Sequence, residues 1–260
     1  MPFAEVDGAR LWWEAAGEGP GVVLLHNGIA DSRMWDRQQR TFAERFRVVR
    51  YDMRFFGRSD RPQGRPFSER DDLAAVLDAA GLDRVALVGN SLGGRVGLDF
   101  ALERPERVWA LVLVASGLGG AALAGVYTRE QEAEYEEALA RGDYDRAVAI
   151  DLDVWAPLGA DETLRRLVLD NVHVGLLDES SAPVGLKPPA AERLGDVGAP
   201  TLVVTGDRDV QRLDEIGDEL ERGIPGARRA RFRDADHLVS LRVPDEFDRL
   251  VLEFLEQALR

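Results

Sequence analysis

Short apolar runs closed by glycine, proline or acidic residues recur along this chain, and the segments between them carry apolar residues at three- and four-residue spacing. Runs of this kind predict buried strands of a parallel sheet. They fall at Val22 to Leu25, Arg47 to Tyr51, Val85 to Val88, Ala110 to Val114 and Thr201 to Thr205, and a last strand-like run follows at Ala227 to Phe232. Two stretches near the start, Phe3 to Val6 and Leu11 to Trp13, are separated by Asp7-Gly8 and predict an opening hairpin. Helices fill the gaps. One runs from Glu69 to Ala80, introduced by Ser68, acidic in its first turn and stopped by Gly81. Others run from Leu92 to Leu102 and from Asp245 to Leu259. The alternation predicts an α/β fold with a mostly parallel central sheet and helices on both faces.

The alternation breaks after the strand that ends at Val114. From about Gly117 to Pro189 the chain is rich in Ala, Glu, Leu and Arg with helical periodicity, and it closes on Ser180-Ser181-Ala182-Pro183 and Lys187-Pro188-Pro189. Residues 118–189 are therefore expected to be a helical insertion, with 1–117 and 190–260 forming one core. An insertion there lies over the carboxyl ends of the strands, where open α/β sheets bind ligands.

Composition narrows the function classes. A chain of 260 residues with 45% hydrophobic content can bury a full core. Its 33 basic and 47 acidic side chains give a net charge of −14, which disfavours nucleic acid or an anionic membrane as partner. Mixed runs such as Arg129-Glu130-Gln131-Glu132-Ala133-Glu134 more often make a solvated helix face than a binding patch. The absence of cysteine excludes a disulfide framework, a thiolate zinc site and a thiol nucleophile. Neither a signal-like start nor a membrane-length apolar run is present, so a soluble cytoplasmic protein is the default expectation. The expected partner is a small-molecule substrate, and a homo-oligomer is compatible with the composition.

The chemistry concentrates at Gly89-Asn90-Ser91-Leu92-Gly93, placed between a strand and a helix. A serine on a sharp strand-to-helix turn needs strained backbone angles, and glycines two positions away let neighbouring segments approach. The helix N-terminus beneath it can hold a developing anion. Three histidines are candidates for the base: His26 at the end of a strand, His173 in the helical insertion, and His237 on a loop between the last strand and the last helix. His237 lies at the right sheet edge to meet Ser91. The strand Thr201 to Thr205 runs into Gly206-Asp207-Arg208-Asp209, which offers two carboxylates, so the order is Ser, Asp, His.

Four blocks in order resemble the α/β-hydrolase family over nearly the whole chain: Leu24-Leu25-His26-Asn27-Gly28 with Trp35 downstream, Tyr51-Asp52-Met53-Arg54-Phe55-Phe56-Gly57-Arg58-Ser59, the Ser91 turn, and Gly206 to Asp209 with His237. The resemblance implies a Ser91, Asp209, His237 triad, the acid standing three residues after the strand-ending glycine. It implies an oxyanion hole from the N–H groups of Gly28 and Leu92, no metal or organic cofactor, and a helical cap or lid at 118–189. Asn27 stands where such chains usually carry glycine and is expected either to add a polar group to the site or to stabilise the turn. Phe55 replaces another usual glycine, implying a rearranged loop or an apolar wall. Tyr127, Trp155 and His173 are candidate substrate contacts from the insertion, and His26 is expected to be structural or a pocket wall.

The resemblance implies a serine hydrolase of a small ester or lactone carbonyl, of the kind often described as a carboxylesterase or enol-lactonase. A carbon–carbon bond hydrolase, perhydrolase or biosynthetic lyase or cyclase can use the same triad. A non-catalytic ligand-binding protein is the alternative from another class. An epoxide hydrolase or dehalogenase fits less well, because those relatives usually carry Asp where this chain has Ser91.

Overall fold

Among the described residues, eight strands and the helices between them follow the alternation of apolar runs and helical segments. The computed structural model describes residues 2–62, 64–123, 125–177 and 179–260. The strands are β1 (Phe3–Val6), β2 (Ala9–Ala16), β3 (Gly21–Leu25), β4 (Arg47–Tyr51), β5 (Val85–Asn90), β6 (Val108–Val114), β7 (Thr201–Gly206) and β8 (Arg228–Phe232). They form one sheet in the order β1-β2-β4-β3-β5-β6-β7-β8. β1 and β2 pair antiparallel, β2 pairs antiparallel with β4, and the remaining pairs are parallel. β3, β5, β6 and β7 are buried at every position, as strands covered on both faces must be.

The α-helices are α1 (Asp36–Phe42), α2 (Glu69–Ala79), α3 (Leu92–Glu103), α4 (Arg129–Arg141), α5 (Tyr144–Trp155), α6 (Glu162–Leu169), α7 (Gln211–Gly223), α8 (Val239–Arg242) and α9 (Pro244–Ala258). Two apolar layers separate along the sheet. Leu73, Leu77, Val96, Phe100, Ile216 and Leu220, from α2, α3 and α7, pack on one face with Leu25 and Leu87. Phe42, Phe247, Val251 and Leu255, from α1 and α9, pack on the other with Leu24 and Val88. Ser68 starts α2 as expected, its hydroxyl accepting from the Asp71 N–H at 3.2 Å.

Helices α4, α5 and α6 all fall between β6 and β7, in the stretch where the alternation breaks. They share a third, smaller core of Leu139, Val148, Leu164 and Val168. Leu238 belongs to the same cluster and Ile29 packs against it. Both residues lie on loops at the carboxyl ends of the strands, so the insertion rests directly on the loops that carry Gly28 and His237.

Candidate active site

Ser91 joins β5 to α3 with φ 54° and ψ −110°, a conformation that residues with a Cβ rarely adopt. The surroundings over-determine it. The Ser91 N–H donates to the Val114 carbonyl at 2.9 Å, and its own carbonyl accepts from the N–H groups of Arg95 and Gly117 at 3.0 and 3.1 Å. The flanking glycines are required by close approach: a Cβ on Gly89 would stand 2.3 Å from the Gly93 oxygen, and one on Gly93 would stand 2.3 Å from the Leu25 oxygen. Any side chain there would push α3 off the sheet edge.

His237 follows β8 on a loop drawn against the end of β7, where a Cβ on Gly206 would meet the Ala235 oxygen at 2.1 Å. Its Nδ1 lies 3.2 Å from each oxygen of Asp209, and both side chains are nearly fully buried, at 3% and 1% exposure. A carboxylate at Nδ1 fixes the tautomer with the proton on that nitrogen and leaves Nε2 as the acceptor. Asp207 is exposed and pairs with Arg208 at 3.9 Å. Asp236 anchors the loop from its buried side: its carboxylate accepts from the Leu238 N–H at 3.1 Å, the Leu158 N–H at 3.3 Å and the Arg242 guanidinium at 2.7 Å.

Gly28 and Leu92 stand side by side, a Cβ on Gly28 falling 3.9 Å from that of Leu92. Leu92 is the first residue of α3, so its N–H has no intrahelical acceptor. The next N–H along the first loop, that of Ile29, is already taken by Asn27 Oδ1 at 3.1 Å, and that of Ala30 by the same oxygen at 2.9 Å. Asn27 therefore follows the turn-stabilising expectation. Its Nδ2 donates to Asn90 Oδ1 at 3.0 Å, and Asn90 Nδ2 in turn donates to the carbonyls of Val114 and His237 at 3.0 and 3.2 Å. This buried pair ties the Gly28 loop, the serine turn and the His237 loop together. Asn90 was visible in the sequence only as a polar residue ending an apolar strand, and its role was not foreseen.

Ser91, His237, Asn27, Gly28 and Ile29 line a cavity of about 350 Å³ whose far wall is built from the insertion. Trp155 packs its ring 4.4 Å from the His237 ring. Its Nε1–H donates to the Tyr127 hydroxyl at 2.6 Å, and that hydroxyl donates to Asp151 Oδ1 at 2.6 Å. Tyr135 also hydrogen-bonds Asp151. Burial raises the Asp151 carboxyl to about 6 against the opposing effect of these two hydroxyls, and burial beside the carboxylate raises both tyrosines. Tyr135, Asp151, Glu132 and Glu136 were not singled out from sequence. Glu132 belongs to a charged run read as a solvated face and is exposed as that reading expects, and it also borders the cavity. The signal for Asp151 was a lone acid on the apolar face of α5, among Ala147, Val148 and Ile150.

The other candidates take different places. Phe55 has φ 78°, so it adopts the left-handed conformation that glycine usually fills, and it lies buried edge-on to Phe67 at 5.4 Å. It lines a second cavity of about 210 Å³ with Met53, Phe56, Phe67, Leu92 and Gly28. His173 lines neither cavity. Its Nε2 lies 2.7 Å from the Phe55 carbonyl, so it props the Phe55 loop instead of facing a substrate. His26 is fully buried, with Nε2 accepting from the Met53 N–H at 2.9 Å and Nδ1 donating to the Asn27 carbonyl at 2.7 Å. Burial lowers its pKa, and it is a neutral structural imidazole.

Residues 21–147 match the family description of the alpha/beta hydrolase fold. The chain is 30% identical to RutD of Azorhizobium caulinodans, provisionally named a carbamate hydrolase, over 98% of both chains. It is 32% identical to a 2-hydroxy-6-oxononadienedioate/2-hydroxy-6-oxononatrienedioate hydrolase of Pseudomonas putida, over 95% of this chain and 92% of that one. Among solved structures it is similar to Est816, described as an N-acyl homoserine lactone degrading enzyme, with 28% identity, a TM-score of 0.77, and coverage of 97% of this chain and 100% of that one.

Proposed function

The chain belongs to the α/β-hydrolase fold family and is a hydrolase of that superfamily, and from that premise we propose that it is a serine hydrolase acting on a small ester or lactone carbonyl. The observation that carries this reading is the strained Ser91 sharing one cavity with a His237 whose Nδ1 is held by Asp209. Ser91 Oγ attacks the carbonyl carbon while His237 Nε2 takes its proton. The N–H groups of Gly28 and Leu92 receive the oxyanion. Collapse of the tetrahedral intermediate expels the alcohol, which takes the proton from His237, and leaves an acyl group on Ser91. Water, activated by the same imidazole, then releases the acid. Asp209 holds the imidazole orientation and stabilises its cation. Residues 118–189 act as a cap that walls the cavity, and Trp155 contacts substrate next to His237. Phe55 is an apolar wall of the second cavity, reached past Gly28.

The second reading, carbon–carbon bond hydrolysis, is favoured by the Pseudomonas putida relative. The name of that protein specifies dicarboxylate substrates, and the cavity here has no lysine or arginine among its described lining residues to pair a carboxylate. The ester or lactone reading is therefore preferred. The test is labelling with a fluorophosphonate alongside a panel of p-nitrophenyl esters, lactones and vinylogous diketones. Parent protein should label at Ser91 and turn over esters or lactones. Ser91→Ala should neither label nor retain more than the residual rate supplied by binding and the oxyanion hole. Retention of most of the rate by Ser91→Ala would remove the nucleophile assignment.

A further inference from the structure

The wall facing Ser91 and His237 combines acids with aromatic side chains. Glu132 and Glu136 stand exposed on α4 at the cavity mouth, and Asp151 lies deeper, on α5, at 4% exposure. Between them come the rings of Tyr127, Tyr135 and Trp155, each half-buried. The second cavity does contain two guanidinium groups, but both are neutralised. Arg54 donates to Asp72 at 2.9 and 2.6 Å, and Arg95 donates to Glu69 at 2.8 and 2.6 Å. Neither arginine has charge to offer a carboxylate without first abandoning a half-buried or buried partner. The remaining described lining of the larger cavity includes no lysine or arginine.

Aromatic rings grouped with carboxylates are a chemistry that receives an ammonium group. The ring quadrupole attracts the cation, and the carboxylates supply the counter-charge. Position decides which part of the substrate carries it. His237 must return its proton to the departing group, so the departing group lies on the His237 side, and Trp155, Tyr127 and Asp151 continue from His237 into the insertion.

We propose that the cavity selects esters whose leaving alcohol carries a tertiary or quaternary ammonium group, held by the rings of Tyr127, Tyr135 and Trp155 and by the carboxylates of Asp151, Glu132 and Glu136. The inference rests on the serine-hydrolase reading above and deepens it. Bond changes are those of ordinary acyl transfer: the Ser91 Oγ–acyl bond forms, the acyl–alcohol C–O bond breaks, and the serine proton leaves with the aminoalcohol. Water restores Ser91 and releases the acid.

The experiment compares butyrate esters of choline, of its neutral isostere 3,3-dimethylbutanol, and of the anionic alcohol 4-hydroxybutanoate on the full chain, with fluorophosphonate labelling in parallel. The choline ester should exceed the neutral isostere about tenfold in kcat/KM, and the anionic ester should be the poorest of the three. Asp151→Asn should lower the choline-to-neutral ratio several-fold. The double change Glu132→Gln with Glu136→Gln should lower it less, because exposed charges are screened, and it keeps the test open if the buried variant does not fold. Labelling at Ser91 with equal or better turnover of the neutral ester would overturn the ammonium inference while leaving the hydrolase reading intact. Absence of both labelling and ester turnover would remove the hydrolase reading and this inference with it.

Discussion

At the scale of single residues, two carboxylates two positions apart meet opposite fates because of where β7 ends. Asp207 leaves the sheet into solvent, whereas Asp209 turns under the His237 loop and presents both oxygens to Nδ1. Asp209→Asn would offer an amide in place of the acceptor and favour the wrong tautomer, so kcat on a p-nitrophenyl ester should fall about 10⁴-fold. Asp207→Asn should change kcat by less than about twofold, the usual reach of a surface substitution. Equal losses in the two variants would show that the imidazole is not oriented by Asp209. The sequence separated these residues only through family spacing. Geometry separates them by burial, which a strand pattern cannot express.

At the scale of elements, the site is three loops at one sheet edge, and a buried amide pair holds them in register. Asn90, 1% exposed, receives a bond from Asn27 and gives two, to the carbonyls of Val114 and His237. Asn90→Ala would leave the Asn27 amide N–H and the His237 carbonyl without these partners, while the Val114 carbonyl keeps the Ser91 N–H. Each unsatisfied group costs about 1–3 kcal/mol, so urea unfolding should show a loss of roughly 2–4 kcal/mol. The kcat should fall as well, because both the Gly28 and His237 loops lose a tie. An unchanged urea midpoint with unchanged kcat would contradict this account. The elements themselves were largely legible in the sequence. β2 runs from Ala9 to Ala16, longer than the Leu11 to Trp13 run, because its later residues, Trp13 to Ala16, pair with β4. A pairing partner 32 to 38 residues away extends a strand past its apolar pattern.

At the scale of the whole molecule, two buried carboxylates give stability opposite slopes with pH. Burial pushes the Asp31 carboxyl up, but hydrogen bonds from Arg33 and Asn171 outweigh it and hold the group at about 2. Its folded value lies below the ordinary 3.8, so its stabilisation is present above about pH 4 and is lost as pH falls toward 2. Asp151 is held by burial at about 6, above the ordinary 3.8. Its folded form keeps a proton that the unfolded chain has released, so its contribution is full below about pH 4 and is lost as pH rises to 6. Two units correspond to about 3 kcal/mol. Asp151→Asn should therefore flatten the fall in urea midpoint between pH 4 and pH 6 and raise the midpoint at pH 7 above that of the parent. A parent-like pH profile in the variant would show that Asp151 does not carry the shift.

The sequence by itself determined what depends on periodicity and local backbone demand. Apolar runs specified a mostly parallel sheet, since strands covered on both faces must be apolar throughout, and the interrupted alternation located the helical insertion. The glycines around Ser91 announced a turn in which a Cβ cannot fit, and the structure shows the backbone contacts that exclude one. Only the tertiary structure decided which side chains from distant segments share a space. Glu132 is exposed, as a solvated helix face requires, yet it stands at the cavity, and Asp151, given no role from the sequence, lines it too, because α4 and α5 bring those positions to the same space as Ser91. His173 looked like a pocket residue and became a prop for the Phe55 carbonyl, because its helical turn faces the loop after β4. Helix rotation and loop approach are fixed by packing between segments far apart in sequence, and no local pattern records them.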